Sequence, residues 1–151
     1  MPGEHLQQIL EAGRRAPSSQ NWQPWDFILV TDRQRLAELP KVWQGARHVA
    51  DSAATIALVA KVPHDEREAH RMRFDLGQAT MAMMIVAADL GIGSGHSAVG
   101  DQDKAREILG LPDDRICAFM IAFGYPADGP LRPIRRPDRR PYDEVVHNDR
   151  W

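Results

Sequence analysis

The chain has 151 residues, 43% of them hydrophobic and 26% charged, with a formal net charge of -2. That length fits one domain, able to bury about 70% of its unfolded surface, and the composition excludes a disordered chain. The near-neutral charge gives no general pull toward nucleic acid or anionic membranes, and no apolar run nears the roughly 20 residues of a membrane span. The single cysteine, Cys117, cannot form an internal disulfide, and together with the lack of a signal peptide it points to a reducing cytoplasm.

From Glu4 to Ala16 apolar residues recur at helical spacing, and Pro17 predicts the stop. A polar stretch, Pro17-Ser18-Ser19-Gln20-Asn21-Trp22-Gln23-Pro24, leads into the apolar run Trp25–Val30, which reads as a buried strand. Asp32 is placed to cap a short helix through Leu39, Pro40 interrupts it, and a second helical segment is expected from about Val42 to Ala50. Thr55–Ala60 is β-branched enough for a second buried strand. From Asp65 to Leu90 the pattern is helical, charged at first and then apolar on nearly every face from Ala79 onward. Such a helix must be covered all round, inside a core or across a subunit interface.

Gly91-Ile92-Gly93-Ser94-Gly95 reads as a glycine-rich reversal. Asp101 caps a helix over Gln102–Leu109, which Gly110 ends. Ile116–Phe123 is the strongest strand, closed by Gly124-Tyr125-Pro126. Strands interleaved with helices predict a mixed sheet with helices packed on it, in a single domain spanning 1–151. Residues 129–151 form a Pro- and Arg-rich arm, kept extended by Pro133, Pro137 and Pro141. Two readings of its arginines stand: a solvated basic tail, or a phosphate-binding arm built on guanidinium forks.

Several chemistries find no support in the residue pattern. The histidines are scattered, and His64 and His70 fall on different helix faces, so no zinc site is expected. Cys117 lies mid-strand among large apolar residues, as an inert core thiol does. Gly91-x-Gly93-x-Gly95 follows a helix instead of a strand, which is the wrong context for a dinucleotide fingerprint. No nucleic-acid-reading motif accompanies the arginines.

The stretch from Pro17 to Trp25 carries more hydroxyls, amides and indoles than a turn requires. It resembles the Pro-Ser-x-x-Asn-x-Gln-Pro-Trp signature of FMN-dependent nitroreductases. Further blocks in the family's order strengthen the resemblance: Asp75-Leu76-Gly77 leading to Gly91–Asp101, then Leu109-Gly110-Leu111-Pro112 and Gly124-Tyr125-Pro126, then Arg139–Val146.

The resemblance implies an α+β nitroreductase-like fold with a mixed central sheet, a homodimer, and FMN at the interface. It implies FMN contacts from Pro17, Ser18, Ser19 and Asn21 to the flavin held mainly by the other subunit. Backbone groups at Ser97, Ala98 and Val99 would lie near the reactive ring nitrogen, and Arg136, Arg139 and Arg140 near the phosphate. The implied activity is NAD(P)H-dependent reduction of electron-poor acceptors such as nitroaromatics or quinones by a ping-pong hydride mechanism, with NADH or NADPH as reductant. No side chain is assigned as catalytic. His96 has two readings, a loop histidine bonded to backbone or a residue lining the substrate pocket.

The chain departs from the family pattern in two places. It opens at Met1-Pro2-Gly3-Glu4, where an Arg- and Ser-containing arm is usual, and it has Met81-Ala82 where a Gln-Asn pair is common. The first departure predicts weak FMN retention. It also motivates the alternative of a dimeric flavin-binding protein without NAD(P)H turnover of its own.

Overall fold

A computed structural model of the chain describes residues 1–151. Helix α1 (Gly3–Arg14) buries Leu6 and Ile9 and ends before Pro17. A single 3-10 turn over Ser19–Asn21 then leads to strand β1 (Asp26–Val30). Asp32 caps α2 (Arg33–Glu38) by accepting from the Arg35 N–H at 2.9 Å. The helix expected over Val42–Ala50 is only partly present. Pro40 opens a 3-10 turn over Leu39–Val42, and α-helix returns only as the single turn α3 (Arg47–Ala50). At Gly45 a Cβ would come within 2.8 Å of the Trp43 indole nitrogen, so the chain folds back where a helix would have continued.

Strand β2 (Ala54–Lys61) is buried along all but its last residue. Helix α4 (Glu66–Asp89) is capped by Asp65, whose side chain accepts from the Glu68 N–H. Strand β3 (Gly93–Ala98), α5 (Gln102–Leu109, capped by Asp101 and ended by the left-handed Gly110) and β4 (Arg115–Gly124) complete the body. Beyond it every residue from Tyr125 to Trp151 is exposed, and the one-turn helix α6 (Tyr142–Val145) is the arm's only regular element.

The strands form one sheet in the order β1-β2-β4-β3. Two features differ from expectation. The Gly93–Gly95 segment belongs to a strand and not to a reversal, because pairing with β4 overrides its poor strand propensity. A Cβ at Gly93 would meet the Gly124 carbonyl at 3.3 Å, so close backbone approach needs a small residue there. Within the chain all three strand pairings are antiparallel, where a mixed sheet was expected. The connections explain this: each neighbour in the sheet runs back against its partner, and no strand–helix–strand crossover joins two neighbours in parallel.

Side-chain alternation along β2 and β4 builds two apolar layers. Ile56, Leu58, Ala60, Ile121 and Phe123 meet Ile9 of α1 and Met72, Leu76, Ala79, Met83 and Ala87 of α4. Ala57, Val59, Cys117, Met120 and Ala122 meet Leu36, Leu39, Val42, Val49, Ala105 and Leu109 on the other face. Gly13 lets α1 approach α4 closely, since a Cβ there would overlap the Met83 side chain. The α+β architecture is therefore a sheet with helices on both faces. No helix is long and apolar enough to cross a membrane.

The apolar half of α4 is covered on one side only. Residues 72, 76, 79, 83 and 87 form its buried arc, whereas Phe74, Met81 and Ile85 are 69%, 56% and 61% exposed. At 3.6 residues per turn these three share one stripe, which the chain alone leaves to solvent.

Candidate cofactor site at the two sheet edges

Side chains of α4 hold the strained Pro17–Gln23 turn in shape. Gln20, Asn21 and Gln23 have φ of 53°, 57° and 49°, the left-handed region, which costs roughly 1 kcal/mol or more for each residue that is not glycine. Asn tolerates that region through its short polar side chain, but the two glutamines need outside support. It comes from Asp75 on α4, which is fully buried and accepts from the Ser19 N–H at 3.0 Å, the Ser19 hydroxyl at 3.3 Å, the Trp22 indole N–H and the Gln78 side-chain amide at 3.2 Å. Arg71, one turn earlier on α4, lays its guanidinium 4.2 Å from the Trp22 ring centroid, a cation–π contact. In the sequence Asp75 stands only as the first residue of the Asp75-Leu76-Gly77 block.

The turn keeps polar groups facing outward. The Ser18 hydroxyl accepts from the Gln23 N–H at 3.0 Å, so its own proton is free to donate. The Asn21 side-chain carbonyl and backbone carbonyl both accept from the Gln23 amide, at 3.2 and 3.1 Å, which leaves the Asn21 NH2 group free. Pro17 and Asn21 are exposed, and Ser18 and Ser19 half-buried.

The second predicted group lies on β3. His96, Ser97 and Ala98 are strand residues, opposite Ile121, Met120 and Phe119. Ser97 is buried at 4% exposure and its hydroxyl donates to the Ala98 carbonyl at 3.1 Å, so this residue offers backbone rather than side chain. Ala98 and His96 are exposed, and the His96 ring makes no hydrogen bond, so of its two readings the backbone-bonded one is absent. It is His48 of α3 whose Nε2 meets the Gly95 carbonyl, at 3.3 Å. Beyond Ala98 the ladder stops for a definable reason. Leu58 opposes Phe119 and Val59 opposes Cys117, so Ala118 is an extra residue, a β-bulge just past the last β3 pair, and the Gln102 side chain takes the Cys117 N–H and carbonyl where the ladder would continue. The Val99 N–H makes no hydrogen bond within the chain.

The strands that these groups flank are the two edges of the sheet: the turn leads into β1, and Ala98 ends β3. Phe27 pairs with Leu58, Leu58 with Phe119 and Phe119 with Ala98, so a single cross-strand row links the start of β1 to the end of β3. Three strand spacings put the row's ends about 14 Å apart. The third predicted group is on the exposed arm. Arg139 donates to the Asp138 carbonyl at 2.8 Å, Arg140 to the Glu144 carbonyl at 2.8 Å, and none of Arg136, Arg139 and Arg140 hydrogen-bonds to the turn or β3. The arm begins beside β3, where Leu131 packs 3.7 Å from the Cβ position of Gly93. One protomer thus carries all three groups without assembling them.

The groups present suit FMN chemically. Free hydroxyl and amide protons and a carbonyl-rich turn match the polar edge of the flavin ring, a strip of small residues on β3 admits a flat face, and exposed guanidinium forks match a phosphate dianion. Cys117 takes no part, because burial pushes its thiol up from 9.0 to about 12.

Comparison with known proteins identifies the family. The family model described as the nitroreductase family matches residues 1–47 and 40–125. The chain belongs to the nitroreductase family. It is an oxidoreductase of the nitroreductase type. Among curated relatives, a provisionally named NADH dehydrogenase/NAD(P)H nitroreductase of Archaeoglobus fulgidus is 29% identical over 157 residues, covering 98% of this chain and 86% of that one. Among solved structures, an FMN-dependent nitroreductase of Clostridium difficile R20291 superposes with a TM-score of 0.85 at 23% identity, over 100% of this chain and 90% of that one. The NADPH:FMN oxidoreductase of Vibrio harveyi, solved with NAD+, gives 0.83 at 22% identity, over 100% and 70%. At those identities the two structures show the nitroreductase fold.

Proposed function

We propose that this member of the nitroreductase family works as a homodimer that binds FMN between its subunits and reduces small electron-poor acceptors, nitroaromatics or quinones, with NADH or NADPH. One observation carries the reading. The Pro17–Gln23 turn leads into one edge strand and the Ala98–Val99 backbone ends the other, with β2 and β4 between them, so a single protomer presents two half-sites and two protomers can complete a site. The exposed stripe Phe74, Met81, Ile85 supports the assembly, because apolar side chains of that size in a line mark a surface meant to be covered. Arg71, Asp75 and Gln78, which hold the turn, occupy the flank of α4 between that stripe and the core, so the turn sits beside the proposed interface. The names of the relatives support the flavin and the nicotinamide reductant.

When bound, FMN supplies the hydride chemistry: reduction by NAD(P)H in one half-reaction and reoxidation by the acceptor in the next, the ping-pong order. The chain's residues orient it. Pro17, Ser18, Ser19 and Asn21 of one protomer would bind the polar edge of the ring held by the other. The free Val99 N–H, with Ala98 and the backbone of Ser97, would donate to the ring, and a backbone donor of this kind stabilises developing negative charge without a side-chain acid. Arg136, Arg139 and Arg140 would neutralise the phosphate once the arm, which together with the body we take as one domain, lies across the assembled pair. His96, exposed on the same strand, would line the acceptor pocket. A lone reduced cysteine supports a cytoplasmic setting.

The test is steady-state oxidation of NADPH and of NADH by FMN-loaded protein with a nitroaromatic and a quinone. Parallel double-reciprocal lines are expected for at least one pair. Flavin binding with no oxidation of either nicotinamide would favour the alternative, a flavin-binding protein without turnover.

A further inference from the structure

The cofactor reading gives no part of its own to the chain's one buried carboxylate. Asp75 is the only fully buried acid in the chain, and it sits on an α4 flank otherwise made of exposed or half-buried polar residues. Its carboxylate oxygens are shared out with a clear division. One takes the Ser19 N–H and the Trp22 indole N–H, and the other takes the Ser19 hydroxyl and the Gln78 amide. Three of the four donors belong to the turn, at sequence separations of 53 and 56 residues, so these are tertiary bonds that fasten a strained loop to a rigid helix. The turn's own bonds, from the Asn21 N–H to the Ser18 carbonyl at 2.9 Å, from the Trp22 N–H to the Ser19 carbonyl at 3.2 Å and from Gln23 to Ser18 and Asn21, work against a left-handed backbone at Gln20 and Gln23.

We propose that Asp75 is a positioning residue for the cofactor: it clamps the Ser19–Trp22 segment so that Ser18 and Asn21 present their free protons in a fixed arrangement before any ligand arrives. This rests on the FMN reading above. A preset turn loses little conformational freedom on binding, whereas a free one must be ordered by the ligand at the expense of affinity. The clamp also hangs from α4, which carries the apolar stripe one flank away, so subunit pairing and turn geometry share one rigid element.

The chemistry distinguishes an acceptor from a charge. In Asp75→Asn the remaining carbonyl can serve the Ser19 N–H and the Trp22 indole, the two donors that cannot reverse. The new amide then faces the Ser19 hydroxyl and the Gln78 side chain, both of which can turn to accept. In Asp75→Leu all four donors lose their partner, two of them fixed N–H groups in a partly buried site.

The experiment measures FMN affinity by fluorescence quenching, the visible spectrum of bound flavin, and hydrogen exchange of the Ser19 amide and Trp22 indole protons without flavin. Urea midpoints and sedimentation report fold and assembly for each variant. Asp75→Leu is expected to weaken FMN binding by about tenfold or more, the scale of one or two lost hydrogen bonds, to alter the flavin band, and to abolish exchange protection. Asp75→Asn is expected to stay within about threefold and to keep the spectrum. Thr55→Val, a buried polar loss on β2 far from the turn, controls for lowered stability and is expected to leave affinity unchanged.

Should Asp75→Leu not fold, Trp22→Phe serves instead. It removes one clamp donor from a partly exposed position and is expected to weaken binding by about threefold, with protection lost at Ser19. A folded Asp75→Leu or Trp22→Phe protein that binds FMN like wild type overturns the proposal, as does an Asp75→Asn variant no better than Asp75→Leu. Wild type that quenches no flavin contradicts the cofactor reading instead; the exchange data, taken without flavin, tell the two failures apart.

Discussion

Replacing Ile85 by glutamate tests the assembly on which the shared site depends. Ile85 is 61% exposed and stands in line with Met81 and Phe74 on α4. Covering the exposed part of such a side chain stabilises by about 1–2 kcal/mol, at about 25 cal/mol per Å2. In a twofold interface each residue counts twice, so losing both copies costs about 2–4 kcal/mol. Two glutamates in an apolar seam add a desolvation cost of at least about 2 kcal/mol more. The sum, about 4 kcal/mol or above, raises the dimer Kd by about a thousandfold. The protomer itself should stay folded, because the buried arc of α4 is untouched and glutamate is a good helix former. Sedimentation over a concentration series reads the Kd, and urea unfolding at high dilution reads the fold. Gln34→Glu, an exposed change on α2 at the other face of the sheet, is the control. An Ile85→Glu protein with the wild-type Kd would refute the argument that this stripe is an interface.

Two other outcomes follow from particular residues. Arg139→Ala combined with Arg140→Ala should weaken FMN by about tenfold or more while leaving riboflavin, which lacks the phosphate, unaffected; equal losses for both ligands in parallel fluorescence titrations would remove the arm from the phosphate site. Cys117, with its thiol pushed up to about 12 by burial, keeps its proton in the folded state where an unfolded thiol ionises above 9.0. The unfolded state therefore binds fewer protons from pH 9.0 upward, so this group leaves stability unchanged below 9.0 and lowers it progressively toward 12. Urea midpoints of wild type and Cys117→Ala should converge as pH rises through that window, and a gap that widens would be the contrary result.

Much of the fold was legible because local signals and tertiary structure agreed. Asp32, Asp65 and Asp101 stand at helix starts in the sequence and all three accept the expected N–H, and Gly110 ends α5 in the left-handed region. β2 and β4 were legible from continuous apolar runs, as central strands covered on both faces must be. β3 was not, because Gly93-Ser94-Gly95-His96-Ser97 has no strand propensity of its own and owes its form to pairing with β4. The antiparallel sense of the sheet was hidden for a like reason, since strand direction depends on how segments far apart in sequence come together.

At the site, the polar density of residues 17–25 was a sound pointer to a specialised turn. Its cause was not visible, because a lone aspartate in a charged helix segment reads as surface. A signal did exist: Asp75 falls between Met72, Leu76 and Ala79, next to the buried arc, where an acid needs donors and the Ser19–Trp22 segment is rich in them. The all-round apolar pattern of α4 predicts cover on every side, which one protomer does not provide. Within one protomer only one side of that helix is core.

Sedimentation of FMN-titrated protein, followed at both the protein and the flavin absorbance, tests the shared site most directly. The account predicts that flavin travels with the dimer alone and saturates at one per protomer. Flavin carried by single protomers, or dimers that carry none at saturating FMN, would contradict it.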